Sequence, residues 1–281
     1  MLASDPREHG QDQTRWTLAA LRAAVPGFAG ASLSGIWRVL RDSRLRRKRA
    51  RDHLHSPDPA YQEKRAHLAT IRAHVDAAPL GAALLYLDEV TYYRQPSLAS
   101  GYSPAGSADP RAERSTRSNT TTRVIGALDA HTGRVVTHQQ TRIGVPALIR
   151  FYRDLVAAYP GRRLYVVLDN WPVHFHPDVL AALEPQRCPI PFLRPRNWPT
   201  EPGPRAKHLN LPIQLVPLPT YSPWLNPIEK LWRKLKQDVL HLHRLAHHLP
   251  ALRDRVLAFL RRFRAASPDL LRYVGLAKLP Q

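Results

Sequence analysis

LYVVLD, residues 164–169, is a run of five apolar residues closed by an acid. A strand that is apolar on both faces is covered on both sides, as in the parallel part of an α/β sheet. LLYLD, residues 84–88, shows the same pattern earlier in the chain. Around these two runs the sequence predicts a strand over 83–90, an irregular stretch over 96–121, and a hairpin in RVIGALDAHTGRVVTHQ (123–139) that turns at Asp129 to Gly133. A helix is expected from Pro146 to Tyr159, with Leu148, Ile149, Tyr152, Leu155 and Val156 on one face. After LYVVLD come a short helix from Pro177 to Glu184, the strand IQLVPL (213–218), a long helix from Pro227 to about Leu242, and a helix over 249–264. Strands alternating with helices after an antiparallel meander describe a mixed sheet with helices on both faces. Residues 185–210, rich in Pro and Arg and without periodicity, are expected to form a loop over the strand ends.

Three acids fall at the ends of these elements. Asp88 closes LLYLD, Asp169 closes LYVVLD, and Glu229 opens the helix after LPTYSPWLNPIE (218–229). Ligands of open α/β sheets bind just outside the carboxyl ends of the strands. Clustered carboxylates are hard ligands for two divalent cations about 4 Å apart, the arrangement that assists in-line attack on a phosphodiester. An acid in a run as apolar as LLYLDEV costs several kcal/mol unless it is paired or bound to metal. Each acid also has a plainer reading. Asp88 could mark a strand end, Asp169 could cap a turn, and Glu229 could complete a capping box, with Asn226 at the N-cap and Pro227 at N1. The two-residue period of a strand turns Glu89 to the face opposite Asp88, which makes it a supporting or salt-bridging residue. Asn170 and His174 stand where they could orient a phosphate, a water or the Asp169 carboxylate. The histidines, without a matching cysteine set or HExxH, give only a weak zinc signal.

Lys and Arg number 42 against 22 Asp and Glu, a formal charge of +20 that makes a polyanion the expected partner. Such a chain has little other reason to gather acids in one place. No apolar run reaches the roughly 18 residues of a spanning helix, so nucleic acid is the expectation and membrane is not. The N-terminus has no apolar signal-peptide core, and with Cys188 the single cysteine a reducing cytoplasm is expected.

The first part of the chain reads as a helical DNA-binding unit. TRWTLAALRAAV (14–25) has helical spacing and stops at Pro26-Gly27, and a second helix begins near Ser32 or Ser34. Leu33, Ile36, Trp37 and Leu40 would form its inner face, leaving Arg38, Arg41 and Arg44 outside. Arg44, Arg46, Arg47, Lys48 and Arg49 then place five basic residues in six positions, an arm suited to tracking phosphates. SPDP (56–59) reads as a breaker and linker, and 61–78 as a connecting helix. Lys230, Arg233 and Lys234 on the later helix would line a DNA groove. The expected division is a helix-turn-helix region with basic arm over 1–55, a linker and connecting helix over 56–78, and a catalytic domain over 79–281.

LYLDEV (85–90), VVLDNWPVH (166–174) and above all LPTYSPWLNPIEKLWRKLK (218–236) resemble the DDE transposases of bacterial insertion sequences in the mariner superfamily. The resemblance runs in order across about 80–245, and RWTL (15–18) with SLSGIWRVLRD (32–42) resembles the family's helix-turn-helix region. It implies a ribonuclease H-like fold, a mixed five-stranded sheet flanked by helices, with a small all-α N-terminal domain. Asp88, Asp169 and Glu229 match the family's three metal-binding acids, with Glu89, Asn170, His174 and Asn226 around them. It further implies two Mg²⁺ ions with Mn²⁺ able to substitute, cleavage at the element's terminal repeats, joining of the freed 3′ hydroxyls to target DNA, and a homodimer on double-stranded DNA near the nucleoid. Two departures stand out: the 185–210 stretch lengthens the spacing from Asp169 to Glu229, and the part before Pro79 is short for this family. A repurposed DNA-binding remnant and a stand-alone nuclease are the alternatives.

Overall fold

The computed structural model describes residues 2, 4–47, 55–106 and 109–277. The chain divides into two compact units, Met1–His53 and Leu54–Gln281.

In the first unit, α1 (Leu18–Ala24) is capped by the Thr17 hydroxyl accepting from Ala20 N–H, and α2 (Leu33–Asp42) by the Ser32 hydroxyl accepting from Gly35 N–H. These caps satisfy amides that the first turn leaves unpaired. Ala20, Leu21 and Ile36 form the small buried centre. The expected inner face of α2 is only partly buried. Ile36 is enclosed, whereas Leu33 and Trp37 are 41% and 52% exposed. A unit this small cannot enclose a whole helical stripe, and the Arg41 guanidinium lies 5.1 Å over the Trp37 ring.

The second unit opens with α3 (Tyr61–Ala77) and continues with β1 (Ala82–Tyr93), β2 (Thr121–Asp129), β3 (Val135–Gln140), α4 (Val145–Ala158), β4 (Arg163–Leu168), α5 (Pro177–Ala182), β5 (Ile213–Pro217), α6 (Ile228–Leu235), α7 (Leu249–Arg261) and α8 (Pro268–Val274). The five strands make one sheet in the order β3-β2-β1-β4-β5. β1, β2 and β3 pair antiparallel, while β1 with β4 and β4 with β5 pair parallel. The hairpin turns as the sequence predicts: Asp129 Oδ1 accepts from the N–H groups of His131 and Thr132, and Gly133 takes φ +70°.

Alternation along β1 divides the core between the two faces. Leu84 and Tyr86 join Val167, Val216, Leu231, Trp232 and Val256 in one cluster. Leu85 and Leu87 join Val166, Leu215, Phe151, Tyr152 and Val179 in the other. The three parallel strands are apolar on both faces because helices cover both.

Three elements differ from expectation. The helix after LPTYSPWLNP is α-helical only to Leu235 and closes with a π turn over Lys236–Leu240. α7 ends at Arg261, and α8, whose C-terminus is closed by Gly275 at φ +83°, had no strong periodic signal in so short a segment. Residues 185–210 contain no helix or strand, but they lie against the α5 side. Phe192 stacks on Phe175 at 4.6 Å, Trp198 meets His176 at 5.1 Å, and Gly203 N–H donates to Asp178. Apolar rings along this stretch anchor it there.

Candidate metal centre at the strand ends

Asp88 lies near the end of the parallel pairing of β1, opposite Gly126 of β2. Its even position in the strand turns it to the face covered by α6, where the Trp232 indole N–H donates to Oδ2 at 3.0 Å. Trp232 is 1% exposed, and a buried indole N–H needs an acceptor. Gly126 is what admits it. A β-carbon there would lie 2.6 Å from Cη2 of the Trp232 ring. The indole thus crosses the sheet over a glycine and reaches the carboxylate next door.

Asp169 follows directly after β4, and its side chain is 56% exposed. Oδ1 accepts from Trp171 N–H at 2.9 Å, the local turn expected of an aspartate in this position. Glu229 lies in the first turn of α6. The capping box is not formed. Asn226 turns its side chain to the sheet and donates to the Leu87 carbonyl at 3.3 Å, α6 has no side-chain cap, and Glu229 is left uncommitted as a cap.

Asp88, Asp169 and Glu229 line one cavity of about 380 Å³, with Asn170, Trp171, Asn226 and residues 218–223. Burial first, and then the Glu229, Glu89 and Asp169 carboxylates, push the Asp88 pKa up to about 8. The like charges that would stabilise a bound cation repel each other in its absence. Among the described residues no three His, Cys, Asp or Glu side chains stand within chelating reach of one point. The acids share a cavity without being drawn together.

The other predicted residues are distributed unevenly. Glu89 faces away from Asp88, toward Tyr152, and its Oε1 is buried without a hydrogen bond. His174 is fully buried, 3.7 Å from Glu89 Oε1 and 3.6 Å from Asp169 Oδ1, with Trp171 edge-on at 5.4 Å. Both acids approach the same ring nitrogen, Nε2, beyond hydrogen-bond reach, and neither ring nitrogen has a hydrogen-bond partner. Asn226 Oδ1 is also buried and unpartnered. Asn170 Nδ2 donates to the Leu218 carbonyl at 2.7 Å, tying the ends of β4 and β5 together. On α6, the Lys230 ammonium donates to the Val274 carbonyl at 2.9 Å, and Lys234 pairs with Asp238 and faces the Tyr273 ring. Both are engaged within the chain, and Arg233 is exposed. Arg38, Arg41, Arg44, Arg46 and Arg47 are exposed in the first unit, Arg41 paired with Asp42; Lys48 and Arg49 lie outside the described residues.

Sequence reasoning did not single out Trp232 as a hydrogen-bond donor, nor the cluster behind Asn170. There Lys64, 3% exposed, pairs with Asp58 at 2.8 Å, and Asp58 Oδ2 also accepts from Thr220 N–H. Lys64 Nζ lies 3.5 Å from both Asn170 Oδ1 and the Leu218 carbonyl, and Ser56 Oγ donates to the Thr220 carbonyl. SPDP is therefore packed structure rather than a free linker. A serine two residues before an aspartate, with a lysine six residues on, was the only available signal.

The mixed sheet with β1, β4 and β5 parallel, flanked by helices, is a ribonuclease H-like fold. A profile of the DDE superfamily endonucleases matches residues 83–253, and the chain belongs to that family. A 39 kDa protein of insertion element IS630 from Shigella sonnei is 22% identical over 246 residues, which are 86% of this chain and 63% of that protein. The chain thus spans somewhat less than two thirds of its relative's length. Among solved structures, the Mos1 mariner paired-end complex with Mn superposes with a TM-score of 0.58 at 18% identity, covering 98% of this chain and 79% of that one. The corresponding complex with Mg gives 0.56 at 16% identity, covering 98% and 80%. Among the described residues no helix is long and apolar enough to cross a membrane.

Proposed function

We propose that the chain is a DNA transposase that cuts the ends of an insertion element and joins them to target DNA. The observation that carries this reading is the single cavity lined by Asp88, Asp169 and Glu229 at the strand ends, in a chain of net charge +20. The DNA and the divalent ions of the Mos1 complexes support it by analogy.

The three carboxylates, with the unpartnered Asn226 Oδ1 beside them, are a hard oxygen set suited to Mg²⁺ or Mn²⁺. Two such ions, when bound, supply a metal-activated water or 3′ hydroxyl and stabilise the leaving oxygen. The chain's own residues prepare that site. Trp232 fixes one oxygen of Asp88 where the residue lines the cavity. Asn170 and Lys64 hold the β5 end that leads to Glu229. His174 brings one ring nitrogen, Nε2, near both Asp169 and Glu89, where a small shift would let it donate to either acid. Burial and the neighbouring carboxylates make Asp88 hold its proton more tightly than usual, and a bound cation would have to displace it.

In this reading 1–55 binds the element ends with its basic arm, 56–78 connects, and 79–281 performs catalysis. Two copies act on paired ends in the cytoplasm, near the nucleoid. The test is cleavage and strand transfer on duplex DNA carrying the flanking terminal repeats, with Mg²⁺, for the native chain and Glu229→Gln. Nicking and joining in the native chain, reduced at least 10²-fold in the variant on the scale of lost transition-state stabilisation, is the expected result. Nicking without joining would indicate a nuclease, and binding without cutting in either protein would overturn the proposal.

A further inference from the structure

A second cavity, of about 890 Å³, adjoins the acid site and shares Pro223, Asn226 and Glu229 with it. It runs between α3 and α6, and Arg65, Arg72 and Arg233 enter it from those two helices. We propose that this groove carries a DNA strand into the acid site, its phosphates held by the three guanidinium groups. The inference rests on the acid site being a phosphodiester site.

The spacing suits a polynucleotide. Arg65 and Arg72 are two helical turns apart, about 10 Å along α3, which is about three nucleotides at 3.4 Å per nucleotide of one strand. Arg233 follows Glu229 by one turn of α6, so a phosphate on it lies one helical turn from the acid that would face the scissile bond. Among the described residues none of the three arginines forms an ion pair. Arg233 does not close on Glu229 although an i, i+4 pair was open to it. Arg65 lies 5.8 Å over the Tyr61 ring, but among the described residues no carboxylate neutralises any of the three, which leaves their charge to a partner that brings its own negative charge. Leu68, Tyr86, Leu225 and Leu276 form an apolar wall. At the rim the Trp224 ring is 50% exposed, with its N–H on the Tyr61 hydroxyl at 3.4 Å, a rigid platform of the kind on which bases stack. Lys230 also lines the groove, but its ammonium is held by the Val274 carbonyl.

The test compares the full chain with Arg65→Ala/Arg72→Ala and with a matched control, Arg255→Ala/Arg261→Ala on the exposed side of α7. Binding of a labelled duplex of random sequence is read by fluorescence anisotropy over a range of salt, without metal. The groove variant is expected to bind on the order of tenfold more weakly at low salt, with a slope of log K against log salt smaller by about 2. The control should keep the native slope. An unchanged slope in the groove variant, an equal loss in the control, or no DNA binding by the native chain would each overturn the inference. Because no metal is present, failure of the catalytic reading leaves this result intact. Cleavage abolished in Glu229→Gln but native in the groove variant would overturn the groove alone.

Discussion

At the scale of single residues the site depends on a contact between a glycine and a tryptophan. Gly126 faces Asp88 across the β1–β2 ladder, and the space that its missing side chain leaves is filled by the Trp232 ring. The indole thereby reaches Asp88 Oδ2. Gly126→Ala would drive a methyl group into a ring that is 1% exposed and has nowhere to move. The expected cost is about 1–3 kcal/mol, the usual range for overpacking a core, measured as a lowered urea midpoint with unchanged slope. Displacement of the indole should also reduce metal-dependent nicking beyond what the lost stability explains. A variant as stable as the native chain would show that the ring is not held there. Asp88, Asp169 and Glu229 stood out in the sequence because each closes or opens an apolar element. Trp232 and Gly126 did not, since a buried tryptophan and a strand glycine have many ordinary reasons to occur. Their contact joins α6 to β2, and no local pattern encodes it.

At the scale of elements, the hinge of the site is the start of α3. Asp58, just before the helix, receives Lys64 and the Thr220 amide, and Lys64 reaches toward Asn170 and Leu218. The ends of β4 and β5 are thus fixed from a segment far away in sequence. Lys64→Met leaves the buried Asp58 carboxylate with backbone amides alone as partners, and a loss of up to about 3–5 kcal/mol, the range for breaking a buried pair on one side, is expected. Burial raises the Asp58 pKa, but Lys64 and the Thr220 and Ala60 amides outweigh it, and the carboxyl stays below its ordinary range. A depressed carboxyl contributes stability that is present above its unfolded pKa and lost as pH falls through its folded one. The native chain should therefore lose stability on the acid side through this group. In Lys64→Met the folded-state pKa rises toward the unfolded one, so that part of the acid-side loss should shrink, as seen in thermal midpoints between about pH 3 and 6. Strand and helix positions in this unit were legible because two-residue and helical periods are strong in buried elements. That SPDP is packed was not legible, because breaker residues look alike in a free loop and in a packed one. The capping box at Asn226, the plainer alternative for Glu229, is not formed, for a related reason. The pattern was present, but the Leu87 carbonyl offered the asparagine a better partner.

At the scale of the whole molecule, a chain of net charge +20 brings three acids to one cavity. In the proposed reading that charge would attract nucleic acid, and the cavity would be where the chain acts on it. The order of the strands was legible from the sequence only in outline, since the meander and the parallel runs set the sheet type but not which strand lies at the centre. β1 occupies that centre and carries Asp88, with Asp169 on its parallel neighbour β4. The three acids share a cavity without closing on one point among the described residues, so a cation is what would draw them together. The most direct measurement is anomalous scattering from Mn²⁺ in crystals of the chain bound to a cleaved element-end duplex. The account predicts manganese peaks bridged by Asp88, Asp169 and Glu229, and their loss in Asp88→Asn. Manganese bound elsewhere, or peaks at the strand ends that persist in Asp88→Asn, would contradict it.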